Sequence, residues 1–180
     1  MIKHFIDIGN FSLRELDLIL STAKKIKKNS TQYEKLFKNK SLGLLFQKES
    51  TRTRLSFSIG MQKFGGNVIE LDLKAIGFGK RESEEDILKT LSCYIDCLMI
   101  RNNNHKKIKY YASLNVLPII NGLSNYSHPC QILADIFTLK EKLGKISNKT
   151  VCWIGDFNNV LRSLIQAQHI YSFQLNIVMP

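Results

Sequence analysis

With 180 residues the chain has room for one complete domain, or for one and part of another. Hydrophobic residues make up 44% and charged residues 23%, an ordinary globular mix that excludes a disordered tail, a collagen-like repeat or a coiled coil. Lys and Arg number 26 against 15 Asp and Glu, a formal net charge of +11, which suits nucleic acid, an anionic membrane or an anionic metabolite as partner. Twenty of the 26 are Lys, in stretches such as Lys24-Lys25-Ile26-Lys27-Lys28 without interleaved stacking aromatics, so a solvated surface is expected and no nucleic-acid partner. The four cysteines form no CxxC pair, which argues against a zinc site or a disulfide scaffold. No stretch reaches the roughly 18 apolar residues of a membrane span and the N-terminus does not read as a signal segment, so no membrane partner and a cytoplasmic location are expected.

Helical and strand-like segments alternate along the chain. Ser12-Leu13-Arg14-Glu15 has capping-box spacing, and Leu16, Ile19, Leu20, Ala23 and Ile26 recur with a period near 3.6, predicting a helix to about Lys28. Leu42 to Phe46 is a short apolar run of the kind buried on both faces of a sheet. Ser50 to Lys63 returns to helical spacing, through Leu55 and Ile59 and a Phe57, Met61, Phe64 stripe, and stops at Gly65-Gly66. Val68 to Leu71 reads as a strand, Lys74 to Glu82 as a polar loop, Glu84 to Ile95 as a helix and Cys97 to Ile100 as a strand. His105 to Ala112 is helical in composition, Val116 to Ile120 a strand with an edge or bulge at Pro118, and Asn121 to Ser127 a loop. Pro129 opens a helix over Cys130 to Lys142. After a junction near Lys145 come a strand at Val151 to Ile154, a helix at Leu161 to His169 and a strand at Leu175 to Val178. Such alternation predicts an α/β fold: a parallel sheet with helices on both faces and ligands beyond the carboxyl ends of its strands.

The loops at those ends hold the unusual residues. Ser50-Thr51-Arg52-Thr53-Arg54 lies between a buried strand and a helix start, where unpaired N–H groups and a partial positive charge favour an anion. Three hydroxyls and two guanidinium groups there form an oxyacid cradle, since Arg offers paired donors that match phosphate oxygens. The plainer alternative is a Ser N-cap with a solvated first turn, although two Arg at the positive end of a helix are electrostatically unfavourable without an anion. Arg101 follows the next strand, and His128-Pro129-Cys130-Gln131 opens a later helix; one inferred sheet edge would bring them together.

Phe46-Gln47-Lys48-Glu49-Ser50-Thr51-Arg52-Thr53-Arg54 together with His128-Pro129-Cys130-Gln131 resembles the aspartate/ornithine carbamoyltransferases. Asn121-Gly122-Leu123-Ser124 and Gly155-Asp156-Phe157-Asn158-Asn159 resemble the ornithine branch, and the likeness runs from His4 to Pro180. The resemblance implies attack of the δ-amine of ornithine on carbamoyl phosphate to give citrulline and phosphate. By it Ser50, Thr51, Arg52 and Thr53 hold the phosphate; Thr53, Arg101 and His128 donate to the carbamoyl oxygen; Gln131 orients the carbamoyl amide; Asn159 holds the amino-acid end of ornithine. It further implies no metal or other cofactor, a homotrimer, a carbamoyl-phosphate-binding domain over 1–145 and the incomplete start of an ornithine-binding domain over 146–180.

Four departures from the family pattern follow. Gly77 falls where ornithine enzymes carry a Gln for a neighbouring subunit's site, Lys80 where aspartate enzymes place a phosphate-binding Lys, and Asp86-Ile87-Leu88 where Asp-Thr-Ala is usual. Family members also continue past the point where this chain stops, with an Asp and a Ser-Met-Gly loop, a Cys-Leu-Pro segment and a closing helix. The expectation is therefore weak binding of carbamoyl phosphate or phosphate with little turnover, the alternatives being a silent relic or anion-binding module, or an aspartate-type enzyme. Val151, Trp153, Ile154, Leu175 and Ile177 are expected to lack partners on at least one side.

Overall fold

The computed structural model describes residues 2–79 and 81–180. Its first layer is a four-stranded, all-parallel sheet of β1 (Ser41–Phe46), β2 (Asn67–Leu71), β3 (Cys97–Arg101) and β4 (Ile119–Leu123), in the order β2-β1-β3-β4. The chain passes from β1 to one neighbour through α2 (Thr51–Lys63), then returns across to the other neighbour through α3 (Glu84–Ser92). That reversal places a topological switch point between the carboxyl ends of β1 and β3, where sheets of this kind bind ligands.

Residue parity decides what each face carries, because successive strand side chains point to opposite sides. Leu45, Leu98, Ile100 and Ile119 enter one cluster with Leu88 of α3 and with Ile108 and Tyr111 of α4 (His105–Ser113). Leu42, Leu44 and Met99 enter another, against Phe57 and Met61 of α2. Helices thus cover both faces, as the buried run Leu42 to Phe46 predicts. Arg101 shares the parity of Cys97 and Met99, so it leaves the end of β3 on the α2 side.

A second layer holds a parallel pair, β5 (Thr150–Ile154) and β6 (Gln174–Val178), joined through α6 (Asn159–Tyr171). The largest core cluster binds it to the first layer: Leu16 and Leu20 of α1 (Leu13–Lys28), Ile132 and Ile136 of α5 (Pro129–Leu143), and Leu161, Leu164 and Tyr171 of α6 pack together with Phe173. The Ser12–Glu15 capping box forms as the spacing predicts. Phe5 adds a short parallel bridge beside β4, donating to Ile119 O and accepting from Asn121 N, both at 2.8 Å.

Several elements differ from expectation for identifiable reasons. The strand predicted at 116–120 begins only after Pro118, which lacks an N–H, and Asn121 to Leu123 continue it instead of looping. The helix from Glu84 ends at Ser92 instead of near Ile95, whose side chain turns into the core. The segment 74–82 is less polar in effect than in composition, since Ile76 and Phe78 pack against the core. In α2 the Phe57 and Met61 stripe faces the sheet, whereas Leu55 and Ile59 are 53% and 56% exposed. The second sheet is one-sided: Val151, Trp153 and Leu175 pack inward, while Ile154 is 79% exposed and Ile177 and Val178 are also exposed. No helix among the described residues is long and apolar enough to cross a membrane.

Exposed apolar surface of this kind drives association. Light scattering is expected to show a mass that grows with concentration, and Ile154→Lys with Val178→Lys to suppress that growth. Both positions are exposed, so the thermal midpoint should move by no more than a surface change of about 0.5 kcal/mol implies.

Candidate active site

Sequence order at the end of β1 sets the site. The strand delivers Ser50 in extended backbone (φ −161°, ψ 110°) and α2 starts at the next residue. Ser50 does not cap that helix with its side chain. Its hydroxyl accepts instead from Arg101 Nη1 at 2.7 Å, and Thr53 Oγ1 accepts from the same nitrogen at 3.2 Å. The plain N-cap reading is therefore not what forms. Arg101 is drawn onto the hydroxyls, and the first-turn amides of α2 keep their capacity to donate outward.

These groups line an open cleft of about 840 Å³ with Ser50, Thr51, Arg52, Thr53, Arg101, His128 and Gln131 on its walls, joined by Glu49, Gly122 and Cys130. His128 arrives through the Asn121–Ser127 segment, and Pro129 occupies the first turn of α5. Gln131 lies two residues further into α5 and donates to Asp135 at 2.9 Å. Gly122 faces the cleft from β4 and leaves room for Met99, whose sulfur a Cβ there would strike. Burial pushes the Cys130 thiol up to about 12, far from a reactive thiolate.

The cleft is cationic and partly desolvated. Among the described residues no carboxylate pairs with Arg52 or Arg101, and Arg101 Nε and His128 Nδ1 are buried without a hydrogen-bond partner. Burial, and then the neighbouring Arg101 cation, lower His128 to about 4, so its imidazole is neutral at pH 7. A buried unpaired donor costs about 1–3 kcal/mol, which an anionic or carbonyl acceptor in the cleft would offset.

One predicted member of the cradle lies elsewhere, and the residue expected at the ornithine end stands apart from the cleft. Arg54 does not join the cradle: it pairs with Glu70 and stands over the Phe46 ring at 4.9 Å. Residues two apart on a helix point about 200° from one another, so Arg52 and Arg54 cannot face one anion. Asn159 does not line the cleft, because its amide donates to Ser124 O at 2.7 Å. The loops after β4 and β5 are held together there by Arg162, stacked on Tyr126 at 4.3 Å and Phe157 at 4.9 Å. Gly77 has φ +62° in a tight turn where a Cβ would come within 2.9 Å of Arg81 Cβ, so this backbone disfavours the Gln that the family places there. Lys80 lies outside the described residues. Sequence reading missed the Asp7–His105 pair and Ser163, which accepts from His128 N; these are polar residues buried behind the His128 loop.

A doubly wound parallel sheet with two guanidinium groups and a helix N-terminus at its switch point defines the class: an α/β protein with a cationic cleft at the carboxyl ends of its strands. Residues 3–141 match the family described as aspartate/ornithine carbamoyltransferase, carbamoyl-P binding domain. The chain belongs to that family. It is 41% identical over 181 residues to an ornithine carbamoyltransferase from Brucella ovis, and 39% identical to one from Psychrobacter arcticus. Each match covers 99% of this chain and 58% or 59% of the relative, so the chain spans less than two thirds of their length. Among solved structures, the ornithine carbamoyltransferase of Burkholderia thailandensis superposes with a TM-score of 0.89 at 39% identity, over 99% of this chain and 62% of that one. That of Pyrococcus furiosus gives 0.92 at 35%, over 99% and 57%.

Between pH 4 and 6.5 the folded state binds fewer protons at His128 than the unfolded state does. Its contribution to stability is thus complete above about 6.5 and lost as the pH falls through about 4. NMR titration should place the His128 midpoint near 4. In Arg101→Ala the midpoint should rise yet stay below 6.5, because burial is the larger cause.

Proposed function

We propose that the cleft binds carbamoyl phosphate and that this chain carries the carbamoyl-phosphate half of an ornithine carbamoyltransferase reaction. The observation that carries this reading is the Arg101 bond to Ser50 and Thr53, which ties a strand-end cation to a helix N-terminus in one cleft with Arg52 and His128. The phosphate would lie on the first-turn amides of α2 with the Ser50, Thr51 and Thr53 hydroxyls and the Arg52 guanidinium. The carbamoyl oxygen would accept from Thr53, Arg101 and a neutral His128, and Gln131 would orient the carbamoyl nitrogen.

As the δ-amine of ornithine attacks, negative charge grows on that oxygen and then on the departing phosphate. Donors already held in place stabilise both without having to reorganise. A neutral imidazole suits the first task, since it donates one N–H and adds no second cation beside Arg101. The chain's own groups supply positioning and charge, and the amine supplies the nucleophile. Asn159 is assigned to the amino-acid end of ornithine, with residues 1–145 as the carbamoyl-phosphate domain and 146–180 as the start of the ornithine-binding domain. The exposed Leu55 and Ile59 of α2 are consistent with the homotrimer that the resemblance implies.

Calorimetric titration with carbamoyl phosphate tests the reading. Arg52→Ala should weaken binding about 100-fold, the worth of a charge-assisted pair of hydrogen bonds, and Arg54→Ala should leave it nearly unchanged because Arg54 is engaged by Glu70. Equal losses in the two variants, or none in Arg52→Ala, would refute the proposed cradle. Citrulline formation that requires both ornithine and Arg52 would support the transfer step.

A further inference from the structure

Behind the wall of the cleft runs a chain of buried polar groups that the proposed chemistry does not use. Asp7 is 3% exposed, His105 7%, and Ser124 and Ser163 are fully enclosed. Asp7 Oδ2 lies 3.1 Å from His105 Nε2, and His105 Nδ1 lies 2.8 Å from Ser124 Oγ. Asp7 reaches this place because the Phe5 bridge runs the N-terminal segment alongside β4.

Donor counting fixes the order of protons along the chain. An ionised carboxylate only accepts, so Nε2 carries a proton toward Asp7; in the tautomer that leaves Nδ1 bare, Nδ1 accepts the Ser124 hydroxyl. With its hydrogen committed to His105, Ser124 Oγ has both lone pairs for backbone amides, those of Tyr126 at 3.3 Å and Ser127 at 3.0 Å. Were that hydrogen turned toward Ser127 O, 3.3 Å away, the ring Nδ1 would lose its donor. The His105 ring also stacks on Tyr126, with centroids 4.9 Å apart. From Ser127 the connection continues to Ser163 Oγ, which lies 3.1 Å from the Ser127 hydroxyl and accepts from His128 N at 2.9 Å.

We propose that Asp7, His105 and Ser124 form a positioning relay, in which Asp7 selects the His105 tautomer and the His105–Ser124 bond alone sets the conformation of the Ser124–Ser127 turn and so the place from which His128 presents its ring. The relay touches no ligand. The inference rests on the reading of the cleft as a carbamoyl-phosphate site. It extends that reading by making affinity for the carbamoyl end, and not for the phosphate end, depend on a His–Ser bond behind the wall.

Two substitutions at one residue separate the halves of the relay. An Asn amide can occupy the place of the imidazole Nδ1, whereas a Gln amide reaches that of Nε2; His105→Asn thus retains the Ser124 bond and His105→Gln only the Asp7 bond. The 180-residue chain and both variants would be titrated calorimetrically with carbamoyl phosphate and, separately, with inorganic phosphate, whose binding needs the α2 N-terminus but not His128. His105→Gln should lose about tenfold in affinity for carbamoyl phosphate, the size of one misplaced hydrogen bond, with phosphate affinity unchanged; His105→Asn should stay within about threefold for both. Equal behaviour of the two variants, or parallel loss of both ligands, would mean a purely structural role and overturn the relay while leaving the cleft assignment standing. If His105→Gln does not fold, Ser124→Ala takes its place with the same selective loss expected, and unchanged carbamoyl phosphate binding in it overturns the relay. An unmodified chain that binds neither ligand overturns the cleft assignment and the relay together.

Discussion

The guanidinium of Arg101 is the piece on which the site depends. It stands at the end of a central strand, and by bonding Ser50 and Thr53 it fixes the first turn of α2 against that strand. Ser50 is thereby diverted from capping its own helix, so the amide groups of that turn remain directed at the cleft. The same cation helps keep His128 neutral. One side chain thus fixes the first turn at the cleft and adds to the effect of burial on its neighbour, and both effects follow from strand parity.

Much of this was legible in the chain. Buried runs such as Leu42 to Phe46 marked the strands, the capping box marked α1, and the alternation of elements gave a parallel sheet with helices on both faces. Arg52, Arg101, His128 and Gln131 could be gathered at one edge because each follows a strand or opens a helix. Where the reading departed from the structure, local pattern was insufficient. Asn121 looks like the start of a loop, yet the neighbouring β3 supplies hydrogen bonds that make Asn121 to Leu123 a strand. Arg54 stands beside Arg52 in sequence, but helical geometry turns it toward Glu70. Leu55 and Ile59 have helical spacing, and only the packed structure shows that Phe57 and Met61 claim the sheet.

The Asp7–His105 pair illustrates the limit best. Its members are 98 residues apart, and neither belongs to a motif. An Asp near the N-terminus and a His at a helix start are unremarkable singly. They meet because Phe5 extends the sheet beside β4, a pairing that a single bridge secures and that no periodicity announces.

The core shared by α1, α5 and α6 also bears on synthesis. Leu16 and Leu20 leave the ribosome early, but their partners at Ile132, Ile136, Leu161 and Leu164 emerge more than a hundred residues later. The first helix therefore has no burial site of its own until α5 and α6 have been translated, and its apolar stripe stays open to chaperones throughout that interval.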